Sequence, residues 1–515
     1  MPDPATGVQL TRGVACWAAS AAPADPGGAR GAAPPSPKDD NREVRPARFA
    51  AVNLISDPIH GYLELTKRLA PTEARAAGFE PEESAEEDLL DSTWLQRLRR
   101  ISQLQSARWV FPTAEHSRFT HGLGVMHEAG LWGRQLYPSL ADTLRATNPG
   151  LRPPSEGLVV ETLRVAGLLH DVGHGPFAHF FDEHVLARFP APADPRREGP
   201  KPLSHEDLSQ LIICRELGPV LAGLRRAPGG DPHRDGFAPG EAIDPAWVAY
   251  LVAKPPLDDP AMPGWVRWLQ PLLSGPFTVD NLDYVRRDAY LCGVSSGPVD
   301  AERLRRYSFI GEEGLTLLEP GLGALEMFLT ARLFMYQQVY FHRTVRAIDL
   351  DLAEVFAPSI RAIFGERSPA EDLRDYADLD EYALLHQAAR WSRGEDVALM
   401  TAPGDGRVTP AVAGLWRRIL LRRPRWRAEA EIRVTFEPGE WPVDAIAELG
   451  AAEPGRVAID LAVVDARPSG PAAGGGPVVA GRDGRPGPPL AAWMDRLPAF
   501  ALIGRRYRRF DGGGP

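Results

Sequence analysis

The chain has 515 residues, 44% hydrophobic and 24% charged, a balance that supports a large buried core and excludes a wholly disordered or fibrous protein. A formal charge of −10 and a pI near 5.7 give no general footprint for nucleic acid or membrane, so an anionic ligand must be met by local cations. Cys16, Cys214 and Cys292 lie far apart without CxxC spacing, which excludes a disulfide framework and fits a reducing, cytoplasmic setting. No apolar run approaches the ~20 residues that cross a bilayer. The apolar stretch after Arg12 is too broken for a well-formed secretion signal.

Residues 1–46, rich in Ala, Pro, Gly and charge, read as a disordered leader because they cannot bury enough apolar surface to offset the entropy of ordering. From Phe49 the character changes. AVNLISDPIHGYLELT predicts two short strands around a turn holding Asp57, Pro58 and Gly61, and the acidic stretch Glu80 to Asp88 reads as a solvated loop. Helical periodicity then runs from Asp91 to about Ile363. Leu95, Leu98, Ile101 and Leu104 keep i, i+3 spacing, and the pattern recurs at Leu123 to Leu136, Leu158 to Leu169, Leu203 to Leu217, Thr278 to Tyr290 and Leu325 to Phe356. The expected fold is therefore mainly α, an all-helical core behind a short N-terminal β-hairpin across 47–371. Residues 372–467 continue helical to about Ile419, and then AEIRVTFEP and RVAIDLAVVDARP alternate like strands of a small α+β appendage. Gly/Pro-rich residues 468–489 read as an exposed loop and 490–515 as a C-terminal tail.

Chemistry concentrates in the middle. Eight of the twelve histidines (116, 121, 127, 170, 174, 179, 184 and 205) fall within 90 residues, where even spreading would place about two. In LLHDVGHGPFAHFFDEH, His170 and Asp171 stand side by side at the end of an apolar helix that Gly173, Gly175 and Pro176 break and re-aim. Imidazole nitrogen beside carboxylate oxygen suits zinc, iron, manganese or nickel without choosing among them. Taken alone, the pair reads more readily as a buried helix-terminus histidine and an N-cap of the next turn.

Four motifs in order, SRFTHGLGV (117–125), GLLHDVGHGPFAH (167–179), SHEDLS (204–209) and TVDNLDYVRRDAYLCGV (278–294), change that balance. With them the chain resembles the HD-superfamily deoxynucleoside triphosphate triphosphohydrolases, which include the sterile-alpha-motif and HD-domain enzyme of animals and its bacterial relatives. The resemblance runs from SDPIHGYLEL to RLFMYQQVYFHRTVR. It implies an HD-domain helical core with one divalent ion (Mn, Fe, Zn, Ni or Mg) on His121, His170, Asp171 and Asp280. Two imidazoles and two carboxylates neutralise such a cation and leave positions for water and a substrate oxygen. The resemblance also places His174, His179 and His205 at the reacting phosphate, with Asp182 orienting an imidazole. Histidine, with its pKa near ~6.5, can move a proton at neutral pH, and a carboxylate partner fixes its tautomer. For the substrate it implies Arg118 and Arg332 on the phosphates, Tyr340 at base or sugar, and Gln103 on the sugar. Tyr284 would pack against the deoxyribose where a 2′-hydroxyl would clash, and Asp288 would accept from the 3′-hydroxyl. Arg332, Tyr336 and Tyr340 share a helix face at i, i+4 spacing. Relatives of this kind assemble as dimers, tetramers or hexamers, so a homo-oligomer is implied.

Some positions depart from the family pattern. Asn281 stands where the animal relatives have a phosphate-facing lysine, and Phe341 where they have a base-reading glutamine. Asp91, Gln96 and Arg99 match the regulatory guanine-nucleotide site, while Asn53 and Ser56 replace its upstream lysine and asparagine, so an activating nucleotide is implied by only half a site. The leading expectation is cleavage of a dNTP to deoxynucleoside and triphosphate. A second enzyme reading takes nucleoside monophosphates or other phosphoesters. A third is a nucleotide-sensing or single-stranded nucleic-acid-binding scaffold, to which RRILLRRPRWR (417–427) and GRRYRRF (504–510) would contribute basic residues with interleaved aromatics.

Overall fold

The computed structural model describes residues 51–510, apart from 195–198, 254–258, 396–403, 468–477, 482–484 and 494–496. The expected leader, 1–46, lies outside the described residues. Strands β1 (Val52–Asp57) and β2 (Gly61–Thr66) pair antiparallel from Val52 opposite Thr66 to Asp57 opposite Gly61. Their turn is closed by Asp57, whose Oδ1 accepts the backbone N–H groups of Ile59 and His60 at 2.8 and 2.9 Å. The acidic stretch after the hairpin is not a solvated loop. Glu86 is fully buried and accepts from Arg164 Nε at 2.7 Å, and Glu82 is held by Arg226 at 2.9 Å, because buried arginines there need carboxylate partners.

The helices that build the site are α1 (Thr93–Leu98), α2 (Arg118–Thr147), α3 (Glu156–Leu169), α4 (His179–His184), α5 (His205–Arg215), α6 (Val279–Cys292), α7 (Leu322–Met335) and α8 (Arg343–Phe364). Their ends follow side-chain chemistry. Ser155 Oγ accepts from Leu158 N at the start of α3, and Thr278 and Asn281 exchange hydrogen bonds at the start of α6. Gly293, at φ +67°, closes α6 in the left-handed conformation that costs other residues strain. Helices α2 and α3 pack on each other, with Leu136, Trp132, Val159 and Leu163 buried, and α6 packs on α2, where Phe277 just before α6 lies on Trp132. Each such side chain contributes about 1.5–3 kcal/mol by leaving water.

The core is not wholly α. A hairpin of β3 (Ser308–Gly311) and β4 (Gly314–Leu318) interrupts it, since the short SFIG and GLTLL runs are too brief to stand out from helical neighbours. β5 (Trp426–Phe436) and β6 (Val457–Asp465) form where alternation predicts them. The segment read as an exposed loop supplies β7 (Val478–Ala480) and β8 (Pro486–Pro489), and β7 runs parallel to β4. The expected tail holds β9 (Phe500–Arg509), the middle strand of the order β5-β9-β6. Four arginines mask its strand pattern, yet Arg505 is buried on Glu431 beside buried Ala501, Leu502, Ile503 and Tyr507. The described residues from β1 to β9 fall in one compact unit.

Candidate metal centre and adjoining cleft

His121 comes from the first turns of α2, His170 and Asp171 follow the end of α3, and Asp280 opens α6. The fold brings these four sequence-predicted residues together. His121 Nε2 lies 3.2 Å from Asp280 Oδ1 and 3.9 Å from Asp171 Oδ2, and the His121 and His170 rings are 5.2 Å apart. His170 donates from Nδ1 to the Gly167 carbonyl at 2.7 Å, which leaves Nε2 with a lone pair. That nitrogen is buried without a hydrogen bond, 3.3 Å from Asp171 Oδ1 and 3.7 Å from Asp280 Oδ1. A lone pair facing two carboxylates is relieved by a cation standing between them. Ligand atoms of His121, His170 and Asp280 lie within 4.8 Å of one another, so the residues present fit a divalent ion. Burial pulls His121 down, but the hydrogen bonds it donates to Asp280 and Asp283 outweigh this and push the imidazole up to about 10.

A second cluster adjoins the first. His174 is fully buried, stacks on His205 with centroids 3.6 Å apart, and lies 3.3 Å from Asp171 Oδ1. Burial, then the charges of Arg118 and His205, hold His174 well below the ordinary histidine value, so it is neutral. His205 bonds from Nδ1 to Asp182 Oδ2 at 2.5 Å. Burial opposes its charge, but Asp182 and Glu206 push it up to about 9. Asp182 moves the other way, drawn below the carboxylate range by His205 and His179 against the cost of burial. His179 is 66% exposed, with Nδ1 3.5 Å from Asp182 Oδ2. The turn before it is strained, since Phe177 and Ala178 adopt φ of +59° and +47°. Buried Phe177 packs on Trp109 and Phe356, and its N–H is turned to Glu381.

A cleft of about 240 Å³ opens beside these clusters. Gln103, Arg118, His179, Tyr284, Asp288 and Tyr340 line it, together with Tyr336, Phe341, Arg346 and Asp349. Arg118 also donates to Asp171, so cleft and metal cluster share a wall. Asp288 is held on both oxygens, by His116 Nε2 at 2.7 Å and by the Tyr340 hydroxyl at 2.7 Å. Gln103 Oε1 is buried with no hydrogen bond. Burial raises the Tyr284 and Tyr340 phenols well above their ordinary value, which keeps both as donors. Arg332 is not among the lining residues. Its guanidinium is spent behind the wall on the Asp465 carbonyl at 2.6 Å and the Tyr284 hydroxyl at 3.1 Å. The expected row of Arg332, Tyr336 and Tyr340 does form, with the Arg332 guanidinium 5.0 Å from the Tyr336 ring and the Tyr336 and Tyr340 rings 4.9 Å apart, although Tyr336–Tyr340 make a π-helical turn.

Other residues were singled out by sequence for different reasons. Asn281 closes the cap of α6 with its own side chain. Gln96 is occupied by the Leu90 carbonyl and Arg99, Arg99 lies over the Phe119 ring at 3.7 Å, and Asn53 bonds Glu87. Sequence reasoning missed the supports. Arg97 on α1 donates to the His174 carbonyl at 2.6 Å, and Tyr376 donates to the Gly173 carbonyl at 2.8 Å, so both clamp the turn after Asp171. Asp283, His60, Arg287 and Asp57 form a buried network behind His121. Asp283 and Arg287 carry a signal in their i, i+4 spacing within TVDNLDYVRRD.

Residues 118–222 match the HD domain family and residues 299–399 the HD associated region. An uncharacterized protein of Bacillus subtilis, YwfO, is 28% identical over 68% of this chain and 69% of its own length. A Dictyostelium discoideum protein described as a deoxynucleoside triphosphate triphosphohydrolase SAMHD1 homolog is 26% identical over 64% of this chain. The match spans about half, 54%, of that relative. The crystal structure of a hypothetical protein from Aquifex aeolicus shares the fold at TM-score 0.59 and 24% identity, covering 89% of this chain and 96% of that one. Among the described residues no helix is long and apolar enough to cross a membrane.

Proposed function

We propose that this HD-domain chain is a metal-dependent phosphohydrolase that cleaves a dNTP to deoxynucleoside and inorganic triphosphate. The observation that carries the reading is Arg118, which lines the cleft and at the same time bonds Asp171 of the metal cluster. A phosphate chain drawn onto that guanidinium lies against the four ligands. His121, His170, Asp171 and Asp280 would hold the divalent ion, which when bound supplies Lewis-acid charge and a more acidic water.

This chain's own residues do the rest. Arg118 binds the phosphates and orients the α-phosphorus. Tyr284 and Tyr340 offer ring faces and hydroxyls to the sugar and base, and Asp288, already fixed on both sides, accepts from the 3′-hydroxyl. Arg332 acts one layer back by holding the Tyr284 hydroxyl. Water attacks the α-phosphorus and releases its proton to solvent through the open cleft, the bond to the 5′ oxygen breaks, and His179 delivers a proton to that leaving oxygen from the cleft wall, regaining it from solvent. Asp182 and protonated His205 keep the proton supply and the ring orientation. His174 stays neutral beside them as a buried spacer and contact to the reacting phosphate. Incubation of the metal-loaded full chain with each dNTP, followed by chromatography, tests this. Deoxynucleoside and triphosphate in equal amounts are expected, and pyrophosphate release would overturn the reaction.

A reading as a nucleoside-monophosphate or general phosphoester hydrolase draws support from Asn281, which is spent on a helix cap, and from Phe341 in the cleft. It predicts phosphate release from monophosphates with weak triphosphate turnover in the same assay. The nucleic-acid scaffold reading draws less support from three of its arginines, which are paired: Arg425 with Asp351, Arg505 with Glu431 and Arg508 with Glu429.

A further inference from the structure

We propose that His60, at the tip of the N-terminal hairpin, is a positioning residue of the metal centre that orients His121 through the carboxylate of Asp283. The proposal rests on the metal-centre reading given above. Asp283 receives four donors. Oδ1 accepts from His60 Nε2 at 2.6 Å and Arg287 Nη2 at 2.9 Å, and Oδ2 accepts from His121 Nδ1 and Arg287 Nε, both at 2.8 Å. An ionised carboxylate only accepts, so His121 must spend its Nδ1–H there, and Nε2 is the nitrogen left for a cation. That nitrogen faces Asp280 at 3.2 Å.

His60 is itself fixed. Asp57 Oδ1 takes the His60 backbone N–H at 2.9 Å, and Asp57 Oδ2 takes Arg287 Nη1 at 2.8 Å, so the turn and α6 are tied through one guanidinium. On its other side the His60 ring lies 3.7 Å from Glu128 and 5.1 Å from the His127 ring centroid, both on α2. The side chains of His60, Asp283 and Arg287 are no more than 3% exposed, so water does not compete for these bonds. α2 leaves room for them at Gly124, where a Cβ would stand 2.0 Å from Asp283 Oδ1. The hairpin is thus part of the machinery that aims a metal ligand.

A purely structural staple would tie the hairpin down without affecting ion binding, and the test separates the two. The metal-free full chain is titrated with Mn²⁺ by calorimetry, and the thermal unfolding of each metal-free variant is measured alongside. His60→Ala is expected to weaken Mn²⁺ binding by about 10- to 100-fold. His60→Gln, whose amide can still donate to Asp283, recovers part of that loss. Thr66→Val cuts the Thr66–Glu86 hydrogen bond at the hairpin base, away from the relay, and is expected to lower the melting temperature with Mn²⁺ affinity unchanged. The proposal is overturned if both His60 variants bind Mn²⁺ like the parent, or if Thr66→Val weakens binding as much as His60→Ala. A parent chain that takes up no Mn²⁺ sinks the metal-centre reading, and this proposal with it.

Discussion

His205 and Asp182 form the pair on which the proposed proton chemistry depends. Folding raises His205 from its ordinary ~6.5 to about 9, so its protonated form favours the folded state. That stabilisation is fully present below pH ~6.5 and is lost as pH climbs through about 9. Activity that needs this proton should therefore fall on an alkaline limb near pH 9. Asp182→Asn removes the carboxylate that raises His205, so the limb should move toward ~6.5 and kcat at pH 8 should drop about a hundredfold or more. A pH–rate profile of both proteins checks this, and an unmoved limb would remove Asp182 from the mechanism. At this scale much was legible. His121, His170, Asp171 and Asp280 sit in motifs whose order carries information, whereas His60 and Asp283 stand 223 positions apart and nothing local in SDPIHG announces their contact. Arg332 misled because spacing records a helix face but not whether the guanidinium points into the cleft or onto a carbonyl behind it.

Elements meet at the site with little slack. Gly173, in the turn after Asp171, lies so close to α5 that a Cβ there would stand 2.2 Å from the His205 carbonyl and 2.5 Å from Ser209 N. Those are backbone atoms and cannot rotate aside. Gly173→Ala should push α5 and His205 away from His174, costing about 1–3 kcal/mol or more in stability and about a hundredfold in kcat. Thermal unfolding and steady-state kinetics measure both, and a variant with parental values would show that the turn and α5 are not rigidly coupled. The long helices were readable because their apolar spacing persists over several turns. β3, β4, β7 and β8 were not, since runs of three to five residues give no period to detect. β9 was hidden by its arginines, which read as solvated while Arg505 is buried against Glu431.

On the scale of the whole molecule, the proposed function asks an acidic chain of net charge −10 to receive a polyanion, and the placement of a few cations would decide where. The proposed ligands come from three separated parts of the chain, residues 121, 170–171 and 280, so they meet only when α2, α3 and α6 are packed. The cleft beside them draws its walls from the segment at 103–107, α6, the π turn and α8. Gln103, Arg118, His179, Tyr284, Asp288 and Tyr340 of that lining were legible from the sequence, whereas Arg346 and Asp349 depend on how α8 packs and no motif announced them. The central claim is that this assembled centre directs water onto the α-phosphorus of a dNTP. The most direct measurement is turnover of a dNTP by the metal-loaded full chain in H₂¹⁸O, with the label located in the separated products by mass spectrometry. The account predicts ¹⁸O in the inorganic triphosphate and none in the deoxynucleoside, while label in a nucleoside monophosphate or in pyrophosphate would contradict it.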